Sequence, residues 1–313
     1  MFRVLDFAAC GLLLELIFTA TSEKEGLSFV PQYRIPQRQI CYQHPYRSLF
    51  VVHSAPYKYK NRIQIRQSWG SSRLLRKLNN LLIFVIGIPP EDDQRSSIAS
   101  IDLENSLYQD IVQVDFEDNY RNLSFKALSW MHWVDTFCSN VDFVIKSDDD
   151  MVIDSPRLIN HLESIAYRSS EPLRKTIFCH VWDNMPVLRG GTGGYEKWSL
   201  TYQEWPYETF SPYCSGSAFA LTADVAGILF RASQVKRHLW VDDFYITGLL
   251  PLNEGIRYHR LNTVFTLFPF LDYKEEFLDS HKLIIHVIGG LENRQSVWKR
   301  LLRKHGKHRL YIL

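Results

Sequence analysis

Short, almost wholly apolar runs recur along the first half of the chain, each closed by polar, Gly or Pro residues: LFVV at 49–52, LLIFVIGI at 81–88, IVQV at 111–114 and VDFVI at 141–145. Runs of this length bury both faces of a strand. Between 123 and 137 the period changes. Leu123, Ala127, Trp130, Met131, Val134 and Phe137 recur every three to four residues behind Asn122, a suitable N-cap. Strands that alternate with helices are joined by crossovers and lie parallel, so the pattern predicts an α/β fold, a mostly parallel twisted sheet flanked by helices. The second half is less regular, with strands expected at 176–182 and 217–221, a helix over 223–233, and the turn-rich RGGTGG at 189–194. No repeat or composition break divides residues 49–313, which read as one domain.

Composition narrows the function classes. Hydrophobic residues are 46% of the chain and aromatics 14%, which excludes disorder. The 36 basic and 34 acidic residues leave a net charge of +2 with no single-sign run, so no nucleic-acid partner is expected.

The N-terminus speaks to compartment. VLDFAACGLLLELIFTA at 4–20 is apolar but carries Asp6 and Glu15 and ends on small residues. Residues 1–22 therefore read as either a cleavable signal peptide or a short signal anchor, and both deliver the chain to the secretory lumen. Residues 23–48, rich in Pro, Gln, Arg and Tyr without apolar periodicity, read as a short stem or linker. Cys41, Cys138, Cys179 and Cys214 contain no C-x-x-C; they allow two disulfides in any of three pairings, or buried free thiols. Asn122-Leu123-Ser124 is an acceptable N-glycosylation sequon.

The chemistry-bearing feature is FVIKSDDDMVID at 143–154, with Asp148, Asp149 and Asp150 in succession at the end of an apolar strand. Adjacent carboxylates beside a low-dielectric core repel one another unless a cation or donors compensate. Oxygen ligands with open positions suit Mn²⁺ or Mg²⁺, ions that bridge carboxylates to nucleotide phosphates. In parallel sheets ligands bind beyond the carboxyl ends of the strands, where this triplet lies.

This segment resembles the D-x-D region of the β-1,3-glycosyltransferases of glycosyltransferase family 31, the galactosyl- and N-acetylglucosaminyltransferase group. Four further blocks resemble that family in the same order: IRQSWG at 65–70, DFEDNYRNLSFKALSWMHW at 115–133, SPYCSGSAFALTADVA at 211–226 and VDDFYITG at 241–248. The resemblance implies a GT-A fold and inverting transfer of a sugar from a UDP-sugar to a glycan hydroxyl in β-1,3 linkage. It further implies a glycoprotein or glycolipid acceptor, and a Golgi lumenal domain held as a type II membrane protein or released by secretion. By analogy Asp150 is the best metal ligand, with Asp148 and His286 as further ligands, and Asp148 and Asp149 face the donor nucleotide. Arg66 and Lys126 are candidates for the nucleotide or diphosphate pocket. Asp243 is the candidate general base, with Asp242 in reserve; the family's usual Glu-Asp is Asp-Asp here, and Phe244 replaces the common Val. Trp69 and Gly70 read as packing residues; Trp198, Trp205, Tyr207 and Tyr213 fall around the expected acceptor cleft, where flat rings can stack on a sugar, with core or surface packing the default for each in a chain of 8 Trp and 16 Tyr.

Galactose is the favoured donor sugar, N-acetylglucosamine and N-acetylgalactosamine the alternatives. A catalytically silent glycan-binding relative and a metal-dependent phosphohydrolase or nucleotidyltransferase are the rival classes. Serine or cysteine nucleophile chemistry has no support, since no G-x-S-x-G elbow is present.

Overall fold

The computed structural model describes residues 26–90, 94–190, 196–266, 282–287 and 290–306. The expected targeting segment at 1–22 and most of the glycine-rich turn lie outside these residues. No helix among the described residues is long and apolar enough to cross a membrane.

In chain order the elements are β1 (Tyr33–Ile35), β2 (Ser48–His53), α1 (Tyr59–Arg66), α2 (Ser72–Lys77), β3 (Asn80–Ile88), α3 (Gln94–Tyr108), β4 (Ile111–Glu117), α4 (Leu123–Phe137), β5 (Phe143–Asp148) and β6 (Met151–Ile153). There follow α5 (Ser155–Arg168), β7 (Thr176–Cys179), β8 (Val181–Trp182), β9 (Tyr213–Cys214), β10 (Ala218–Thr222), α6 (Ala223–Ser233), the short α7 (Asp242–Phe244), β11 (Arg257–Arg260), β12 (Phe265–Thr266), β13 (Ile284–His286) and α8 (Gly290–Gly306). Among the described residues eight strands form one sheet in the order β1-β4-β3-β2-β5-β10-β7-β11, beside a smaller β12-β13-β6 sheet and a β8-β9 pair.

Strand pleating divides the interior in two. Leu49 and Val51 of β2, Ile83 and Val85 of β3, and Val144 of β5 face one core, where they meet Trp130, Met131 and Val134 of α4 and Leu229 of α6. Phe50, Val52, Phe84 and Ile145 face the other, against Ile65, Leu75, Leu158, Leu162 and Trp298. Helices thus cover both faces, as the uniformly apolar strands require. Each fully buried large side chain contributes roughly 1.5–3 kcal/mol relative to exposure.

The sheet is parallel from β4 through β3 and β2 to β5. It then departs from the all-crossover pattern, because β10 runs antiparallel to both β5 and β7. Ala218 stands opposite Ser147, so the segment just before β10 returns to the carboxyl end of β5.

Within the expected stem at 23–48, Tyr33–Ile35 forms an edge strand of the large sheet. Tyr33 pairs with Val114 of β4, Tyr33 Oη donates to the Ser129 carbonyl at 2.8 Å, and Ile35 is buried. A three-residue edge strand is too short to leave a period in the sequence, which is why this stretch resembles a linker. Disulfides join Cys41 to Cys138 and Cys179 to Cys214. The first ties the N-terminal segment to the end of α4, and the second ties β7 to β9.

Candidate active site

A cleft of about 250 Å³ opens at the carboxyl ends of β2 and β5, lined by His53, Ser54, Lys58, Tyr120, Lys126 and the aspartate triplet among others. The three aspartates have three different surroundings. Asp149 is 2% exposed and accepts from Ser54 Oγ at 2.7 Å, Lys58 Nζ at 3.0 Å and Asn61 Nδ2 at 3.0 Å. With three protein donors on its oxygens, Asp149 anchors the turn to β2 and α1 while still lining the cleft.

Asp148, the last residue of β5, accepts from Lys146 Nζ at 2.7 Å and keeps 41% of its side chain exposed to the cleft. Enclosure by the domain pushes its carboxyl up to about 6, with Asp150 and Asp243 adding to the rise and Lys146 opposing it. The carboxylate of Asp150 is equally open and lies 3.9 Å from His286 Nε2, on a strand that β6 places alongside, with His286 opposite Met151.

Asp150 and His286 thus offer one oxygen and one nitrogen donor to a divalent ion. Among the described residues no group of three or more His, Cys, Asp or Glu is disposed to hold a metal. A two-residue set fits Mn²⁺ or Mg²⁺, which complete their shells with phosphate oxygens and water. Asp148, the other expected ligand, directs Oδ1 to Lys146 and leaves the rest of its carboxylate open to the cleft.

Behind the triplet, Trp69 is 1% exposed and its indole N–H donates to the Met151 carbonyl at 3.0 Å, while Ser155 Oγ donates to the Trp69 carbonyl at 2.7 Å. The IRQSWG block therefore supports the β5–β6 turn from below. A Cβ on Gly70 would lie 2.5 Å from Ile65 Cγ2, so only glycine fits.

Arg66 is not among the residues that line the cleft. Its guanidinium makes a two-pronged pair with Asp110 at 2.8 and 2.7 Å, bonds Glu104 at 2.7 Å and stacks over Tyr108 at 4.0 Å. Each of its nitrogens bonds an acid, its side chain is 9% exposed, and it fastens α1 to α3 and β4 away from the residues that line the cleft. Lys126 does line the cleft, donating to Asp118 Oδ1 at 2.7 Å and to the Ser54 carbonyl. His53, 5% exposed, has no hydrogen-bond partner for either ring nitrogen among the described residues, and burial holds it well below the usual imidazole value.

The acid pair opens α7. Asp243 Oδ2 accepts the Gly216 amide hydrogen at 3.0 Å. Burial raises both carboxyls: Asp242 is pushed up to about 7, with the charge of Asp243 adding to the effect. Phe244 is fully buried against Phe210 and Trp205, at ring separations of 4.4 and 4.8 Å.

Trp205 and Tyr213 take the packing role, their rings set around Phe244. Tyr207 joins them by its edge-on contact with Trp205. Trp198 is 38% exposed and donates its indole N–H to Tyr120 Oη at 2.5 Å, a partner 43% exposed at the rim of the cleft. The sequon is folded into the start of α4: Asn122 Nδ2 donates to the Glu117 carbonyl at 2.8 Å, and the buried Ser124 hydroxyl bonds His238. Asn122 is the N-cap residue of α4 but makes no side-chain cap bond; the Asn119 side chain instead caps the 3-10 turn at Tyr120–Asn122, accepting from the Asn122 N–H.

Sequence reasoning missed Lys146, Ser54, Lys58, Asn61, Gly216 and Tyr120. Lys146 carried a local signal, a lone cation inside an apolar strand immediately ahead of three acids, and Tyr120 and Gly216 fall within the resembling blocks at 115–133 and 211–226.

The galactosyltransferase family model matches residues 60–262. The chain belongs to this family, the glycosyltransferase family 31 that its motif blocks resemble. Lactosylceramide 1,3-N-acetyl-beta-D-glucosaminyltransferase A of Xenopus laevis is 29% identical over 234 residues, 70% of this chain and 59% of that protein. Beta-1,3-galactosyltransferase 5 of Homo sapiens is 27% identical over 229 residues, 73% of this chain and 70% of that one. The chain thus spans less than two thirds of the length of the first relative. Among solved structures, a glycosyltransferase involved in glycosylation of the major capsid of PBCV-1 aligns at 9% identity with a TM-score of 0.40, covering 82% of this chain and 99% of that chain.

Proposed function

We propose that the protein is an inverting, metal-dependent β-1,3-hexosyltransferase that moves a sugar from a UDP-sugar to a glycan hydroxyl. The observation that carries this reading is the junction at Gly216, which sets the Asp242–Asp243 pair beside the aspartate triplet at the end of β5. Asp150 and His286 would hold the divalent ion; when bound, such an ion supplies Lewis acidity for the negative charge of a departing diphosphate.

The chain's own residues carry the rest. Asp243 takes the proton of the acceptor hydroxyl while that oxygen bonds the anomeric carbon, and the electron pair of the broken C–O bond leaves with UDP. Attack opposite the leaving group inverts the anomeric centre. Lys126 and Lys58 supply positive charge at the cleft wall, and the Tyr120–Trp198 pair offers an exposed aromatic face at its rim.

Galactose is the favoured sugar, with N-acetylglucosamine close behind, since relatives bear both names. A glycolipid or glycoprotein acceptor fits the same names. Two disulfides suit an oxidising lumen, in keeping with a Golgi enzyme anchored or secreted through residues 1–22. The test is incubation with UDP-galactose, UDP-N-acetylglucosamine and UDP-N-acetylgalactosamine plus Mn²⁺ over a panel of acceptor glycans, with chelator controls. Chelator-sensitive hexose transfer supports the proposal. UDP release without transfer points to a hydrolase, and folded protein inert with every donor points to a silent glycan-binding relative.

A further inference from the structure

Lys146 sits inside the large sheet, opposite Val51 on one side and Phe219 on the other, and is 3% exposed. A buried ammonium is costly unless its hydrogen bonds and charge are met. Here its donors go in two directions, to Asp148 Oδ1 at 2.7 Å and to the carbonyl of Gly216.

Gly216 is held from its other side as well, its N–H donating to Asp243 Oδ2 at 3.0 Å. A Cβ at this position would stand 1.6 Å from Asp243 Oδ1, so the carboxylate and the backbone are in direct contact. The next carbonyl, of Ser217, accepts the backbone N–H of Asp148 at 2.9 Å. One cation is therefore a single hydrogen bond from the triplet and, through one glycine, two from the acid pair.

A lysine needed only to neutralise Asp148 could do so from the cleft, where that carboxylate is 41% exposed. Lys146 approaches from beneath instead, and in doing so it fixes Gly216. We infer that Lys146 is a positioning residue that locks the Asp242–Asp243 pair to the aspartate triplet, so that the base and the donor-binding acids keep a constant separation. This rests on the glycosyl-transfer reading and deepens it.

The experiment compares wild type, Lys146→Met and Lys146→Arg, each also in an Asp243→Asn background. Sugar transfer, calorimetric UDP binding with Mn²⁺, thermal melting and a crystal structure of Lys146→Met are the readouts. The expected result is folded Lys146→Met that binds UDP within about threefold of wild type but loses about a hundredfold in kcat. Lys146→Arg recovers about tenfold of that loss, and Lys146→Met costs less than about threefold more once Asp243 is already Asn.

The inference is overturned if kcat of Lys146→Met stays within about threefold of wild type, or if the loss is undiminished in the Asp243→Asn background. Failure of both variants to fold would make Lys146 a core residue only, with the same consequence. A Lys146→Met crystal structure with the Gly216–Asp243 hydrogen bond unchanged overturns it whether or not transfer is seen. Wild-type protein inert with every donor would instead strike the glycosyl-transfer reading itself.

Discussion

Asp242 and Asp243 are adjacent acids in one enclosed place, and their titration belongs to the pair. A general base works ionised, so kcat/KM rises with pH along the acid limb. Because burial pushes Asp242 up to about 7 from 3.8 and raises Asp243 as well, that limb is expected well above the ordinary carboxylate range. A pH–rate profile flat down to pH 4 would contradict it. Asp243→Asn is expected to lower kcat by about 10²–10⁴-fold while leaving UDP binding nearly unchanged. The same rise carries a stability sign. The folded chain holds the Asp242 proton more tightly than the unfolded chain, so this group's contribution falls as pH rises through the window between 3.8 and about 7. Asp242→Asn should therefore raise the denaturant midpoint at pH 8, with the gain shrinking toward pH 4.

At the scale of elements, the site depends on the turn between β5 and β6, and that turn is held from two sides. Asp149 pins it to β2 and α1 through Ser54, Lys58 and Asn61, and Trp69 pins it from the opposite core through the Met151 carbonyl. Trp69→Phe removes the indole N–H and leaves that carbonyl buried without its donor, at a cost of about 1–3 kcal/mol plus lost packing. Chemical denaturation measures the first effect. The second is a looser turn, read as a weaker Mn²⁺ affinity in a metal titration of the folded variant. No change in either would show that the tryptophan acts only as filler.

For the whole molecule, the two disulfides divide stability from site geometry. Cys41–Cys138 closes a separation of 97 residues and Cys179–Cys214 one of 35. Loop-closure entropy grows with length, so removing the longer bridge by paired Cys→Ser is expected to cost more, within about 2–5 kcal/mol for either. The shorter bridge lies two residues before Gly216, and its loss should reduce transfer at temperatures where the protein is still folded. Parallel melting curves and transfer assays separate the effects; equal loss of activity per degree of melting shift in both variants would refute the division.

What could be read along the chain was whatever neighbouring residues encode together. Strand-length apolar runs and the period of α4 declared themselves because burial on two faces or one imposes a period on consecutive positions, the acids at the end of β5 because three like charges adjoin an apolar strand, and the blocks around Gly216 and Asp243 through their resemblance to the family. Partnerships across distant segments left no such trace. Nothing beside Arg66 in the chain shows that Asp110 and Glu104 surround it, and nothing beside Asp149 shows that Ser54, Lys58 and Asn61 meet its oxygens. Residues 23–48 resembled a stem because one short edge strand carries no rhythm. The antiparallel return of β10 decides where Gly216 falls, and so which carboxylates share Lys146; pairing across a sheet is set by three-dimensional approach, which no local pattern of residues contains.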